Sequence, residues 1–360
     1  MSRVAILGAG AGGLSAVVEL VQAGHDVALW NRSSPALAAH IEHGAVRHAG
    51  TFGDGEVLPC LMTTDLDQAL RDVEVTVICL PSVAHGAIFA QLAERRHQGP
   101  VVLNPGHTGA ALHARQVWNS AGVHMPPIAE FSTLTYVARV AADGTVRTTG
   151  RAGRVHVAAL PGGEEAVKWG ASLFPGAEVA CDVLATSLSN ANLVLHPPCS
   201  ILGLAWVEAT GGDFAFYKEG TTDGVARVMC DLDDERRRVA TAFGHRLPTL
   251  LEEMLAIGTI DPRPGGWPDL AAAVRSGAAN SAIRAPESIE HRYYREDLPF
   301  GLLPFVTLAG IAGVDVPVAG ALLQIARVVL GDRVFDAGLG RERLGLRGVD
   351  ADELTRMVRG

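Results

Sequence analysis

A histidine and an asparagine in the second half of the chain have the spacing of a proton-transfer site. Asn192 and His196 stand four positions apart in an otherwise apolar stretch, so on a helix they share a face, and Ser189 would join that face. An imidazole titrates near neutral pH, which suits general acid–base chemistry. On residue type alone, however, a lone histidine in such a stretch is more often a hydrogen-bonded core residue than a catalyst.

A second polar cluster, residues 291–302, leads directly into an apolar segment. A dense run of charge is usually a solvated face. Here the run lies between Pro286 and Gly301 and contains Pro299, so its charges adjoin the core and are better held if paired. We therefore expect Asp297 to pair with a histidine.

The first element that must position this chemistry is a glycine-rich turn after the apolar run 4–7. Gly8 permits a tight turn, Gly10 lets backbone approach a pyrophosphate, and Gly13 allows close packing of helix on strand. The helix start that follows supplies N–H donors to phosphate. The pattern predicts a dinucleotide-binding loop that also includes Ala11 and Gly12; a purely structural turn is the alternative.

The end of the second strand distinguishes the two nicotinamide dinucleotides. An acidic residue there would bind the ribose 2′-hydroxyl and repel a 2′-phosphate. This chain instead has Asn31, Arg32 and Ser33, and a guanidinium suits a phosphate. We predict a preference for NADP(H) over NAD(H), with a solvated surface Arg32 as the alternative.

Two further loops follow apolar strand-like runs and should reach the same sheet edge. Pro81 and Ser82 follow the run 75–80, and Asn104 and His107 follow the run 101–104. Because the carboxyl ends of parallel strands face the ligand in open α/β sheets, we expect these residues beside the nicotinamide half. The alternative interpretation is that both loops are ordinary turns with no part in binding.

The pattern of apolar runs divides the chain in two. Residues 1–184 alternate strand-like and amphipathic segments, which predicts a Rossmann α/β domain with a parallel sheet. The runs 128–140, 146–149 and 155–160 lack intervening helices, so we expect added strands that extend this sheet into a mixed one. Residues 185–360 show helical period, which predicts an all-helical domain with helices near 188–207, 222–243, 248–256, 268–276, 304–312 and 317–329.

Composition bounds the function classes. At 360 residues, 48% hydrophobic and 19% charged, the chain is globular, with length enough for two cores. A net charge of −9 gives no electrostatic footprint for nucleic acid or an anionic membrane. The five scattered cysteines lack C-x-x-C spacing, which predicts buried free thiols in a reducing cytoplasm, with no zinc site or other metal site and no disulfide framework. The apolar stretches 4–20 and 300–330 are broken by turn residues, so we expect neither a signal peptide nor a membrane span.

The motifs taken together resemble the octopine/nopaline-type opine dehydrogenases. The resemblance rests on the glycine loop, on Asn104-Pro105-Gly106-His107-Thr108-Gly109, on Asn190-Ala191-Asn192 through His196-Pro197, on Arg292-Tyr293 through Glu296-Asp297 into Gly301-Leu302-Leu303-Pro304, and on Leu344-Gly345-Leu346. The individual motifs are modest, but their shared order spans nearly the whole chain and makes the combination specific.

The resemblance implies a reductive condensation: an amino acid meets a 2-oxo acid such as pyruvate, and a nicotinamide hydride reduces the imine. It implies His196 as general acid–base, Asp297 as the carboxylate that orients it, and Arg292 as a clamp for a substrate carboxylate. Arg139, Thr133, Thr135 and Asn192 are further candidates for substrate contact. Asn31 departs from an acidic residue in close relatives, and His107 is bulkier than the family's usual residue.

Two other functions remain open from the sequence. A two-domain NADP-dependent reductase of 2-hydroxy acids or a ketopantoate-type substrate shares the plan, although such enzymes usually place a lysine in the site, and this chain has only Lys168 and Lys218. A nicotinamide-binding sensor without chemistry would keep the glycine loop without needing both His196 and Asp297. We also expect small-molecule substrates as the only partners besides a homodimer through the apolar C-terminal helices.

Overall fold

The computed structural model describes residues 1–277 and 283–360. Its first half holds two sheets and their helices. The strands are β1 (Arg3–Leu7), β2 (Asp26–Trp30), β3 (Val46–Gly50), β4 (Gly55–Val57), β5 (Leu61–Thr63), β6 (Val75–Ile78), β7 (Val101–Leu103), β8 (Ile128–Phe131), β9 (Tyr136–Val140), β10 (Val146–Arg151), β11 (Val155–Ala159) and β12 (Ala177–Val179). The helices are α1 (Ala11–Gln22), α2 (Ser34–His43), α3 (Leu66–Ala69), α4 (Ser82–Glu94), α5 (Ala110–Ala121) and α6 (Glu164–Leu173).

The larger sheet has the order β12-β11-β8-β7-β6-β1-β2-β5. Its neighbours are parallel except β8 and β11, which run antiparallel. The predicted Rossmann fold with a mixed sheet is therefore confirmed. The carboxyl ends of β1, β6 and β7 meet at one edge, which brings together the glycine loop and the loops that begin at Cys79 and Asn104.

One part of the strand prediction is wrong. β9 and β10 do not extend the main sheet; they form a second sheet, in the order β4-β3-β10-β9. This sheet covers α1, where Ser15 Oγ meets Thr148 Oγ1 at 2.8 Å and Glu19 accepts a 2.7 Å bond from Tyr136. The burial of β10 alternates between buried and exposed residues, as suits a strand covered on one face only.

The second half is helical throughout its described residues, apart from an isolated β-bridge between Ala215 and Arg284. Its elements are α7 (Val183–Leu188), α8 (Asn192–Leu202), α9 (Leu204–Thr210), α10 (Asp223–Ala242), α11 (Leu250–Ile257), α12 (Leu270–Ser276), α13 (Arg292–Arg295), a π-helix (Leu298–Leu302), α14 (Leu303–Ala312), α15 (Pro317–Leu330), α16 (Arg333–Asp336) and α17 (Ala351–Arg359). Five of the six predicted helices are confirmed within about two residues.

The predicted helix over residues 188–207 is instead three helices, α7, α8 and α9. Asn190 causes the first break, because its side-chain oxygen accepts the Asn192 amide at 3.1 Å in a local turn. Ser189 therefore caps the end of α7 and does not share the His196 face, contrary to expectation. Within α8, Asn192 is the first residue and His196 follows one turn later.

The two halves share a continuous hydrophobic core. The last strand, β12, ends at Val179 and the first helix of the second half, α7, begins at Val183. The proposed division between residues 184 and 185 therefore falls inside the first turn of α7; as a domain boundary it stays a prediction. No helix within residues 1–277 or 283–360 has the length and apolar character needed to cross a bilayer.

Candidate active site

The centre of the site is a hydrogen-bonded chain through His196. Its Nδ1 lies 2.7 Å from Asp297 Oδ2, and its Nε2 lies 2.7 Å from the hydroxyl of Tyr217. The His196 and Asp297 side chains are each only 3% exposed. The structure thus brings together two residues separated by 101 positions and adds a tyrosine, Tyr217, that the sequence analysis did not connect to His196.

The electrostatics of the chain define which atom carries which proton. Burial raises the pKa of Tyr217 well above its usual value, so its hydroxyl stays protonated and donates to Nε2. Burial alone would raise the pKa of Asp297, but the charge of His196 and its hydrogen bond lower it overall. Asp297 is therefore an anion that accepts the Nδ1 proton, and the Nε2 lone pair accepts the hydroxyl of Tyr217.

Three local structures hold these side chains. His196 lies in α8, and Asp297 immediately precedes the π-helix, a wide turn that is frequent at functional sites. Tyr217 lies in a loop pinned by the backbone bond from Phe216 to Ile283, of 2.8 Å. The Tyr293 ring stacks 4.1 Å from the His196 ring. The imidazole is therefore held by hydrogen bonds at both nitrogens and by an aromatic face.

A second carboxylate, Glu296, links this chemistry to the sheet edge. Its Oε1 accepts the Ser82 amide at 2.7 Å and lies 3.5 Å from His107 Nε2. Its Oε2 is buried without a hydrogen bond from the described residues, 3.6 Å from Arg292 Nε. Burial lowers the pKa of His107, although Glu296 and Asp297 oppose the shift. Ser82 and His107 thus lie at the predicted edge, turned toward the helical half.

The two arginines predicted to bind substrate carboxylates, Arg292 and Arg139, are exposed at the edge of the site. The Arg292 side chain is 54% exposed beside the buried Glu296. Arg139, on β9, is exposed. Burial raises the pKa of Tyr293, and the positive charge of Arg139 partly opposes this shift, so the two side chains are near one another. Thr133 is half-buried. Thr135 is instead bonded to Asn104, whose amide donates to its hydroxyl at 2.8 Å and whose oxygen accepts its N–H at 3.1 Å.

The hydrogen bonds between Thr135 and Asn104 fix the loop after β7. Because these bonds use the polar atoms of both side chains, neither residue is free to contact a ligand. Asn192, the first residue of α8, is half-buried. It stands one turn before His196, as its spacing predicted.

The glycine loop has the geometry needed for close approach of a phosphate. A side chain at Gly8, where φ is +124°, would meet Cys79 O at 2.4 Å, and one at Gly13 would meet Gly8 O at 1.8 Å. Gly12 lies against Leu134, whereas Gly10 faces open space. Gly10 also caps α1, which begins at Ala11, without a side-chain bond. The first amides of α1 therefore remain available at an open surface, which fits a dinucleotide pyrophosphate.

The end of β2 has two different kinds of residue. Asn31 is used within the protein: its oxygen accepts the Ala9 amide at 3.1 Å, and its nitrogen donates to the Ser33 backbone and side-chain oxygens, both at 3.2 Å. Arg32 and Ser33 are exposed. Asn31 thus ties the glycine loop to the strand end, while Arg32 is left exposed beside it.

A buried glutamate that the sequence reasoning missed joins the two halves. Glu130, on β8, accepts bonds from Thr186 Oγ1 at 2.7 Å, Ser187 Oγ at 3.1 Å and the Ala111 amide at 2.7 Å. Ser187 Oγ also accepts the Gly109 amide at 2.9 Å. Burial raises the pKa of Glu130 to about 7. The start of the helical half is thereby anchored to the loop and helix that follow β7.

One of the missed residues had a signal in the sequence. Glu296 stands four positions after Arg292 and directly before Asp297, so its closeness to Arg292 at the end of a short helix was readable. Tyr217 lies in an aromatic loop, but no spacing rule connects it to His196. Glu130 is the one charged residue of a strand that is otherwise apolar, and only the fold shows its partners.

Comparison with known proteins supports this architecture. Residues 179–330 match the model of the alpha-helical domain of NAD/NADP octopine/nopaline dehydrogenases. Residues 4–162 match the model of ketopantoate reductase PanE/ApbA. The two matches fall on the two halves of the chain.

Similar proteins extend over the whole chain. An opine dehydrogenase from Arthrobacter sp. (strain 1C) is 30% identical over 350 residues, covering 96% of each chain, and the protein ocs of Agrobacterium tumefaciens (strain Ach5) is 26% identical over the full length of both. Among solved structures, an octopine dehydrogenase with NADH and L-arginine has a TM-score of 0.76 at 19% identity, covering 99% of this chain and 98% of that one. A yersinopine dehydrogenase with NADP+ has a TM-score of 0.71 at 17% identity, covering 100% and 98%.

The structural likeness establishes the fold, and the full-length identity to a characterised relative establishes the relationship. The helical-domain match agrees with both. This chain therefore belongs to the octopine/nopaline-type opine dehydrogenases, NAD(P)-dependent oxidoreductases that act on CH–NH donors.

Proposed function

We propose that this protein joins the amino group of an amino acid to a 2-oxo acid such as pyruvate, reduces the imine with NAD(P)H to an N-(carboxyalkyl) amino acid, and catalyses the reverse. The observation that carries the proposal is the chain Asp297–His196–Tyr217, buried in the helical half beside the Ser82 contact of Glu296. A base is thus held next to the sheet edge where a nicotinamide would lie.

His196 supplies the proton transfers that condensation and dehydration need. Its Nε2 lone pair can take a proton from the substrate ammonium, which frees the amine to attack the carbonyl carbon of the oxo acid. The protonated ring then donates a proton to the carbinolamine hydroxyl, which leaves as water and yields the imine. Asp297 stabilises the imidazolium in between. The bound cofactor supplies the hydride that reduces the imine.

Before substrate binds, the Tyr217 hydroxyl is hydrogen-bonded to the Nε2 lone pair of His196. Its hydroxyl donates to Nε2 over 2.7 Å, so an incoming amine must displace that bond to reach the imidazole. The buried, protonated phenol can then donate instead to the carbonyl oxygen of the oxo acid. Exchange of one hydrogen bond for another keeps the buried hydroxyl satisfied.

The substrate carboxylates would be bound by residues at the exposed edge of the site. Arg292 is half exposed beside Glu296, which leaves part of its guanidinium free for a bidentate contact. Arg139 and Thr133 face the same region from the sheet half and are proposed for a second carboxylate. The solved octopine dehydrogenases include complexes with L-arginine, pyruvate and agmatine. A small 2-oxo acid and an amino acid are accordingly the proposed substrate pair.

For the cofactor, we propose the glycine loop for the pyrophosphate and Arg32 for a 2′-phosphate, hence a preference for NADP(H). Support comes from the open face at Gly10, the exposed guanidinium of Arg32, and the absence of an acidic side chain at Asn31. Pro81, Ser82 and His107 would lie at the nicotinamide end, where Ser82 already contacts Glu296.

We further propose a cytoplasmic homodimer. The cysteines at positions 60, 79, 181, 199 and 230 are free thiols, as suits a reducing compartment. Ile325 and Val328 are exposed on α15, a candidate surface for self-association. Light scattering of the purified protein measures the subunit number directly.

The central experiment is a matrix of amino acids against 2-oxo acids, with NADPH or NADH, followed by loss of the reduced cofactor's absorbance. We expect oxidation only when both substrates are present, with mass spectrometry showing the condensed product. Equal oxidation with a 2-oxo acid alone would identify the 2-hydroxy-acid or ketopantoate-type reductase instead. Binding of cofactor without oxidation in any pair would favour the sensor.

A further inference from the structure

A cluster of nucleophile, base and carboxylate lies outside the site described above. The exposed Cys181 has its Sγ 3.4 Å from Nδ1 of the buried His245. On the other side of the ring, His245 Nε2 lies 3.0 Å from Asp182 Oδ1. A thiol, an imidazole and a carboxylate in this order form the arrangement that activates a cysteine for nucleophilic attack.

The cluster is held rigidly by the protein around it. Asp182 Oδ1 accepts the Leu184 and Ala185 amides at 3.0 and 3.1 Å, and its Oδ2 accepts from Arg359 Nε at 2.7 Å. Arg359 also donates to the Phe243 carbonyl at 2.8 Å. Burial would raise the pKa of Asp182, but its bonds to His245 and Arg359 lower it overall. The carboxylate is therefore an anion that can stabilise a protonated His245.

These three side chains are badly placed for a metal ion, although their donor atoms lie within 4.8 Å of one another. Cys181 and Asp182 approach opposite nitrogens of the same imidazole, so one ion cannot take all three ligands through a single ring nitrogen. The guanidinium of Arg359, 3.3 Å from His245 Nε2, adds a positive charge where a cation would need to bind. The geometry favours a proton-transfer chain.

Cys181 opens into a surface groove of about 460 Å³ between the two halves of the protein. On its sheet side the groove is lined by Arg154, which precedes β11, and by His156 of β11. On its helical side it is lined by His245, Arg246 and Leu247. Among the lining residues Glu178 is the only carboxylate, and it lies 3.8 Å from Arg154 Nε and 3.9 Å from His156 Nε2. Arg246 is exposed with no ion pair among the described residues. The groove therefore presents positive charge beside the thiol.

We propose that Cys181 is a reactive thiol that forms a mixed disulfide with small, carboxylate-bearing disulfides bound in this groove. His245 takes the Cys181 proton, and the thiolate attacks one sulfur of the bound disulfide. A new S–S bond forms at Cys181 as the disulfide's own S–S bond breaks, and the leaving thiolate takes the proton back from His245. Cys181 is oxidised, and the departing thiol is the reduced product. Arg246 holds a carboxylate of the reagent.

The test uses the full-length protein with NADPH bound and compares two reagents, the dicarboxylate disulfide dithiobis(nitrobenzoate) and the neutral disulfide dithiodipyridine. Peptide mapping by mass spectrometry measures the modification rate of each cysteine. Cys60 and Cys230 serve as internal references because they too are exposed, while burial raises the pKa of both thiols. We expect Cys181 to react about tenfold faster than either reference thiol, or more, because its proton can pass to the adjacent His245.

Three variants separate the parts of the proposal. His245→Gln should reduce the Cys181 rate to that of Cys60, and Arg246→Gln should reduce only the preference for the dicarboxylate reagent. Cys181→Ser should abolish the fast reaction while leaving reductive condensation unchanged. Equal rates at Cys181 and Cys60 in the wild-type protein would overturn the proposal without any variant having to fold. If the protein showed no condensation activity, the modification rates of the cysteines would be unaffected, so the two proposals can be tested independently.

Discussion

The Asp297 carboxylate lies 2.7 Å from His196 Nδ1, a direct hydrogen bond between side chains that are each only 3% exposed. A buried anion next to an imidazole stabilises the protonated ring and fixes its tautomer. We therefore expect the two residues to act as one unit.

Loss of either partner should remove most of the proton-transfer catalysis. We expect His196→Ala to lower kcat by about 10²–10⁴ and Asp297→Asn to lower it by a similar factor, because the amide favours the wrong tautomer. Since the residues act together, the double variant should lose little more than either single one. Steady-state kinetics with the preferred substrate pair measures this, and NADPH titration should show unchanged binding. Additive losses would contradict a shared role.

Arg292→Ala should weaken binding of one carboxylate substrate. A charged hydrogen bond contributes about 1.5–3 kcal/mol, so the KM of that substrate should rise by about 10- to 150-fold while kcat changes less. Arg295→Ala is the matched control, because Arg295 lies on the same short helix but pairs with Glu290 instead of Glu296. If both substituted enzymes keep the wild-type KM for both substrates, Arg292 is a surface residue.

Tyr217→Phe should lower kcat while leaving the fold intact. The phenol donates to Nε2, and in the proposed reaction it donates to the oxo-acid carbonyl oxygen once an amine has replaced it at the imidazole. Loss of one neutral hydrogen bond of about 1 kcal/mol from the transition state corresponds to a roughly fivefold fall in kcat, which steady-state kinetics measures. A tyrosine with a purely structural role would lower the stability of the protein and leave kcat unchanged.

Arg32→Ala should alter the choice of cofactor. Removing the guanidinium should raise the KM for NADPH by about 10- to 100-fold through loss of a phosphate contact, with little change for NADH. Arg71→Ala, another exposed arginine of the sheet half, is the control. An unaltered NADPH-to-NADH ratio in the Arg32 variant would show that other groups select the cofactor.

Glu130 should make folding stability fall as pH rises. Burial raises its pKa to about 7, well above the value of about 4.5 for a free glutamate. Between these limits the folded protein binds more protons than the unfolded chain. The free energy of unfolding should therefore decrease from pH 4.5 to 7, by up to about 3 kcal/mol for this group. Glu130→Gln keeps the shape without the titration. Urea unfolding at pH 5 and pH 7 should show a smaller difference in the variant than in the wild type.

The parallel part of the fold was predictable because its signals are local. Buried strands read as apolar runs, the glycine loop marks the first turn, and the helices over 223–242 and 317–330 keep a regular apolar period. The second sheet was not predictable from these signals, because alternation in β10 shows that one face is covered but not what covers it. That cover is α1, through contacts such as Ser15 with Thr148, 133 positions apart.

The residues of the candidate site also divide into those that the sequence predicted and those that only the tertiary contacts reveal. His196 and Asp297 were found because their residue types and ordered motifs resemble a known family. Tyr217 and Glu130 were missed because their roles depend on contacts that no spacing rule describes. Thr135 was assigned to substrate from its type, but its hydroxyl is bonded to Asn104, and that competition appears only in three dimensions.

Glu296 and Asp297 are consecutive, yet one contacts Ser82 of the cofactor half and the other contacts His196. A single peptide unit therefore couples the loop after β6 to the buried imidazole. A backbone shift that moves one of these carboxylates moves the other as well, so any redesign of the protein for new amines should leave this dipeptide intact.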